Sequence, residues 1–195
     1  MIIIYILIAI AVLVVGFLVM AAMQPNDFRI TRSLAMTAAA ADVFPHVNDF
    51  HKWDAWSPWA KLDPAMKQTF AGAPAGAGAI YSWDGNKQVG SGRMTILDSL
   101  PSERVRIKLE FMRPFACTHT AEFTFKAEGD QTLVTWSMFG KNDFMGKAIS
   151  LFMDCDKMVG SEFEKGLASM KAIVEADAKQ GESQKPTETP IAKSE

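Results

Sequence analysis

The chain has 195 residues, a formal net charge of -2 and two cysteines, Cys117 and Cys155. With an apolar leader and a polar tail set aside, about 150 residues remain, enough for one domain that buries roughly 70% of its unfolded surface without disulfides or metal. The charge argues against a broad basic footprint for nucleic acid, and two thiols are too few for a small secreted disulfide scaffold.

Residues 2–22 contain no charged side chain, and the first charge is Asp27. A helix over this stretch spans roughly 31 Å, close to the ~30 Å hydrocarbon core of a bilayer, and it has no polar face to turn to water. A cleaved signal peptide would want a basic start, a shorter apolar core and a better cleavage site than Val19-Met20-Ala21. Residues 1–24 are therefore expected to be a single-pass transmembrane anchor. No Lys or Arg precedes the helix, whereas Arg29 and Arg32 follow it, so the positive-inside rule points to a cytoplasmic domain.

Behind Pro25-Asn26, Phe28–Met36 reads as a first strand. Thr37 is placed to cap a short Ala-rich helix with Asp42 near its positive end, and Pro45 should kink or stop that helix. Phe50–Trp59 continues as a tryptophan-rich helix or loop. Lys67–Phe70 is a weak strand, and Ala71–Ala79 is a Gly/Ala/Pro turn without the Gly-Lys-Ser/Thr ending of a phosphate loop. Ile80–Asp84 closes on Gly85-Asn86 and pairs with Gln88–Leu97, where Gly90 and Gly92 mark a bulge or bend.

Alternation is cleanest further on. Val105, Ile107, Leu109 and Phe111 oppose Arg104, Arg106, Lys108 and Glu110; Ala121, Phe123 and Phe125 oppose Thr120, Glu122, Thr124 and Lys126. Such period-two patterns belong to half-buried antiparallel strands. Thr132–Phe139 is the last strand. Phe144, Ala148, Phe152, Cys155, Val159, Phe163, Leu167, Met170 and Val174 then step by threes and fours, which predicts one long amphipathic helix over Lys147–Ala178. From residue 179 to Glu195 the composition predicts a disordered tail.

The fold class that follows is α+β. A twisted antiparallel sheet of six or seven strands has an apolar face that only the long final helix can cover, and a space between the two is a natural ligand cavity. Several strings also resemble a known superfamily: Phe50-His51-Lys52-Trp53-Asp54-Ala55-Trp56-Ser57-Pro58-Trp59, Gly92-Arg93-Met94-Thr95-Ile96, Thr120-Ala121-Glu122-Phe123-Thr124-Phe125, Thr135-Trp136-Ser137-Met138 and Phe144-Met145-Gly146-Lys147. With the element order they make residues 28–175, within a domain expected over 28–178, similar to the START-like, or SRPBCC, superfamily, and within it to bacterial polyketide cyclase/dehydrase-like proteins. The resemblance implies a helix-grip (START/Bet v 1-like) domain. It implies no particular chemistry, because the superfamily holds lipid carriers, receptors, cyclases and chaperone cofactors.

Strand parity and the helix stripe place Tyr81, Trp83, Met94, Leu109, His119, Trp136, Cys155 and Val159 around the expected cavity. The cluster Trp53, Trp56 and Trp59 with Pro58 either gates its mouth or plugs the end of the sheet as core. His119 could orient a ligand carbonyl or act as a general base, against the plainer alternative of a hydrogen-bonded core histidine. His46 and His51 straddle a proline without further ligands, and Asp154 and Asp156 do not share a helix face, so no metal centre or cofactor is expected. Three functions remain: a membrane-anchored module binding a hydrophobic or amphipathic small molecule such as a lipid or quinone; an enzyme using His119 and Tyr81 on a polyketide-like or aromatic substrate; and a membrane-tethered adaptor. The mostly apolar inward set favours binding.

Overall fold

In the computed structural model, which describes residues 1–183, the alternating segments become seven strands. These are β1 (Asp27–Met36), β2 (Lys67–Gly72), β3 (Ala79–Asp84), β4 (Ser91–Leu100), β5 (Arg104–Arg113), β6 (Cys117–Glu128) and β7 (Gln131–Lys141). All neighbours are antiparallel, in the order β1-β7-β6-β5-β4-β3-β2. Consecutive hairpins run from β2 to β7, and β1 closes the far edge beside β7. The path from β1 to β2 carries the short helices α2 (Ala40–Asn48), α3 (Trp53–Trp56) and α4 (Pro58–Leu62), with a 3-10 turn at Phe50–Lys52 between the first two.

One face of the sheet is polar. There Thr31 meets Ser137 at 2.9 Å, Ser33 meets Thr135 at 2.8 Å, and Arg106 pairs with Glu122 at 2.6 Å. The other face buries Ile96, Val105, Ile107, Phe123, Val134 and Trp136. Over it lies α6 (Cys155–Ser183), whose Phe163, Leu167, Met170 and Val174 are buried at the expected spacing. Trp136 is the hinge of this packing, stacked on Phe123 at 4.7 Å and on Phe163 at 4.0 Å. Polar clamps fix α6 to the β1 edge. Arg32 donates to Glu164 at 2.8 Å and to Asp156 at 3.0 Å, and Lys171 donates to the Ala35 carbonyl at 2.8 Å.

Local expectations are revised at four places. The final helix is not continuous: α5 (Phe144–Ser150) is separate from α6. Two carboxylates start them independently, Asp143 accepting from the Gly146 N–H at 2.7 Å and Asp154 from the Lys157 N–H at 2.9 Å. Thr37 is not a cap; its N–H donates to Glu175, and α2 begins after Ala39 with no side-chain cap. Pro45 does not stop α2, which runs on to Asn48. The carbonyls at the end of that helix are instead met by indoles, Trp53 donating to Val47 at 3.0 Å and Trp56 to His46 at 2.9 Å. At the C-terminus, α6 extends to Ser183, so the first residues of the expected tail are helical; 184–195 lie outside the described residues.

The apolar leader forms α1 (Ile2–Met23), long and apolar enough to cross a membrane. Only Gln24–Asn26 separate it from β1. Its last turns pack against α5: Ala21 is buried, and the Phe17 ring stacks on Phe152 with centroids 5.9 Å apart.

Candidate ligand cavity

A cavity of about 280 Å³ lies between the inner face of the sheet and α6. Tyr81 and Trp83 of β3, Met94 of β4, Leu109 and Phe111 of β5, and Trp136 and Met138 of β7 form its floor. Val159 and Phe163 of α6 roof it, and Trp53 and Trp59 close one end. Asp54, Gln88 and Arg113 supply charge and polarity.

Small residues make the space. Gly92 pairs with Phe111 at a register shift in β4, and a Cβ there would lie 2.5 Å from the Trp83 ring. Glycine thus lets that indole lie flat over the strand, where its N–H donates to the Val89 carbonyl at 3.1 Å. Two donors stand in the walls. Burial, reinforced by the Asp54 charge, pushes the Tyr81 hydroxyl up to about 12, so it stays protonated and able to donate. The Trp136 indole N–H is buried without a partner.

Of the residues singled out by parity, Tyr81, Trp83, Met94, Leu109, Trp136 and Val159 meet around this cavity. Trp56, His119 and Cys155 do not. Trp56 is fully buried, drawn under Trp53 and Trp136 by its bond to the His46 carbonyl; of the tryptophan cluster, Trp53 and Trp59 reach the cavity. Cys155 opens α6, one turn before the first residue of the helix to reach the space.

His119 lies on the inner face, as parity requires, but beyond the main cavity along β6. It borders a second recess of about 360 Å³, walled by the 114–118 segment, by Lys141, Asn142 and Asp143, and by Met145, Gly146 and Ile149 of α5. Its ring stands edge-on to Phe28 at 4.8 Å, and its Nδ1 is buried without a partner. Gly140 makes room for it, since a Cβ there would lie 2.7 Å from Nδ1. Burial lowers the His119 pKa, opposed by the Asp143 charge and the Thr118 backbone. Cys117 beside it is raised by burial and by Asp143, the reverse of an activated thiolate. Phe111 and Pro114 border both spaces.

Phe111, Met138 and Phe163 were open to sequence reasoning. The first extends the Leu109 face, the second shares parity with Trp136, and the third follows Val159 on the helix stripe. Arg113 and Pro114 carry no periodic signal, because they sit where the strand ends. Among the described residues no group of three His, Cys, Asp or Glu side chains could hold a metal ion.

Residues 27–175 match the family described as polyketide cyclase/dehydrase and lipid transport. The chain belongs to that family. No curated relative matches the sequence significantly. Among solved structures, the family fold recurs in protein CV1439 from Chromobacterium violaceum, with TM-score 0.55 and 15% identity over 78% of this chain and 99% of that one. It recurs in the di-domain ARO/CYC StfQ from the steffimycin biosynthetic pathway, with TM-score 0.59 and 12% identity over 79% of this chain and 52% of that one. Ara h 8.0201 gives TM-score 0.54 and 10% identity over 77% and 99%. At these identities the family member shares a fold with them: an open seven-stranded antiparallel sheet, Bet v 1-like, gripping a long C-terminal helix.

Proposed function

We propose that this protein is a membrane-anchored binding module that holds a hydrophobic or amphipathic small molecule, lipid- or quinone-like, between its sheet and α6. The supporting observation is the cavity itself, walled almost wholly by aromatic and aliphatic side chains, with the Tyr81 hydroxyl as a protonated donor among them. Its volume of about 280 Å³ is at the small end for ligand sites. It suits a compact ring system or part of one acyl or isoprenoid chain, held by buried area and oriented by a hydrogen bond. Tyr81 and His119, the two groups the enzyme reading would use, border different spaces and do not act on one substrate atom together. Catalysis on one substrate atom therefore has less support than binding.

The test is mass spectrometry of small molecules that co-purify with the full chain in detergent. Wild type should retain an apolar ligand, and Leu109→Trp, which fills the cavity from its floor, should lose it. Equal ligand content in the two proteins would place the binding elsewhere. Tyr81→Phe should weaken a carbonyl- or hydroxyl-bearing ligand by about 0.5–1.5 kcal/mol, the net worth of one neutral hydrogen bond, and leave a pure hydrocarbon unaffected.

A further inference from the structure

We propose that the α5 end of the domain is itself sunk into the bilayer that α1 crosses, so that the second recess, with Lys141 and Asp143 in its wall, opens at the membrane interface. The inference rests on α1 being membrane-spanning. Four observations carry it. First, large apolar side chains gather at this end. Phe152 is 78% exposed and Phe115 56%, while Phe144, Met145 and Met153 are about half exposed. They come from the turn between β5 and β6, from α5 and from the α5–α6 corner, and isolated apolar residues at a watery surface do not normally cluster so. Second, the cluster touches α1. Phe152 stacks on Phe17, six residues before the last residue of the helix, Met23. Six residues are roughly 9 Å of helix, so the corner descends alongside α1 to a depth where lipid chains begin.

Third, the connection of Gln24–Asn26 cannot lift the domain away. It is held short by Lys147, which donates to the Asn26 side chain at 2.5 Å, and by Asn142, whose backbone N–H donates to the Asn26 carbonyl at 2.7 Å. Fourth, the nearby carboxylates Asp143 and Asp154 are engaged as helix caps, which lowers the cost of bringing them to the interface. The occupant of this surface is the lipid phase itself. The second recess lies behind it, bordered by Met145 and Ile149, and shares Phe111 and Pro114 with the main cavity.

Depth-dependent quenching tests this on the full chain. Cys117 and Cys155 are replaced by Ala, and single cysteines are introduced as Phe152→Cys, Phe115→Cys, Val12→Cys and, in the β6–β7 turn at the opposite end of the sheet, Asp130→Cys. Each is labelled with an NBD fluorophore in phosphatidylcholine vesicles containing doxyl-labelled phosphatidylcholine. The expected result is loss of fluorescence at positions 12, 115 and 152 and none at exposed position 130. Quenching at 12 with none at 115 or 152 would overturn the embedded surface and leave the anchor standing. No lipid quenching at 12 would overturn both. The four labelled positions are exposed, circular dichroism of each variant confirms that it is folded, and the readout does not depend on whether the main cavity holds a ligand.

Discussion

At the scale of single residues, the aromatic stack decides what the core tolerates. Phe123 is fully buried, stacked on Trp136 and met edge-on by Trp53 and Trp56, and it does not border the cavity. Phe123→Ala should therefore cost about 3–5 kcal/mol in urea unfolding, the range for removing a packed aromatic. A loss well below that range would mean the site relaxes as a cavity wall does. The buried histidines set a pH dependence. His46 and His119 are both held below their ordinary value of 6.5, first by burial, with Lys52 adding to the effect at His46. Asp177 opposes at His46 and Asp143 at His119. A depressed imidazole binds its proton more readily in the unfolded chain. Stability should thus be full above about pH 6.5 and fall as pH drops from there toward the lowered folded values. Unfolding midpoints measured at about pH 7.5 and about pH 5.5 should show that fall, and His119→Gln should shrink it.

Elements obey a stricter logic than single residues, and this is where the sequence was most legible. On β5, β6 and β7 a side-chain period of two leaves only one way to face the helix, so Leu109, Phe123 and Trp136 were placed by arithmetic. The stripe Val159–Val174 is equally constrained. Legibility ends where geometry along an element matters rather than its face. His119 has the right parity but sits too far along β6 to reach the cavity. The break at Leu151–Asp154 was hidden because Phe144, Ala148 and Phe152 keep the phase of the α6 stripe, although Phe152 packs on α1 instead. Trp56 could not be separated from Trp53 and Trp59, because helices as short as α3 and α4 show no period. A different element-level constraint lies in α6. Gly166 is buried against the sheet, and a Cβ there would lie 2.9 Å from the Trp136 ring and 3.2 Å from Pro58. Exposed helical Gly→Ala changes gain up to about 1 kcal/mol. Gly166→Ala should instead cost about 1–3 kcal/mol, because Trp136 is locked between two other rings and cannot yield. A stabilised Gly166→Ala protein would show that α6 can lift from the sheet without penalty.

For the whole molecule, the sheet and α6 own a core to which α1 contributes no residue; Ala21, the buried residue of α1, lies outside it. Removing residues 1–24 should leave a folded domain with near-native circular dichroism, and an unfolded product would show that α1 completes the fold. Arg29 and Arg32 are the first Lys or Arg residues after α1 in the sequence, so if α1 is an anchor a reporter fused after Glu195 should be active in the cytoplasm; activity of an export-dependent reporter there would reverse the orientation. The three-residue connection behind α1 has a final consequence. Fully extended, it reaches only about 10 Å. If α1 spans a membrane, as proposed, a domain on so short a leash cannot ferry cargo across an aqueous gap to another one. With α1 in a bilayer and a ligand in the cavity, as proposed above, that ligand would be taken from, and surrendered to, the membrane the domain stands in or a neighbour beside it, as at a storage or hand-over post rather than by a shuttle. Protein reconstituted in donor vesicles should accordingly fail to speed the movement of a fluorescent lipid into separate acceptor vesicles, whereas a carrier would speed it.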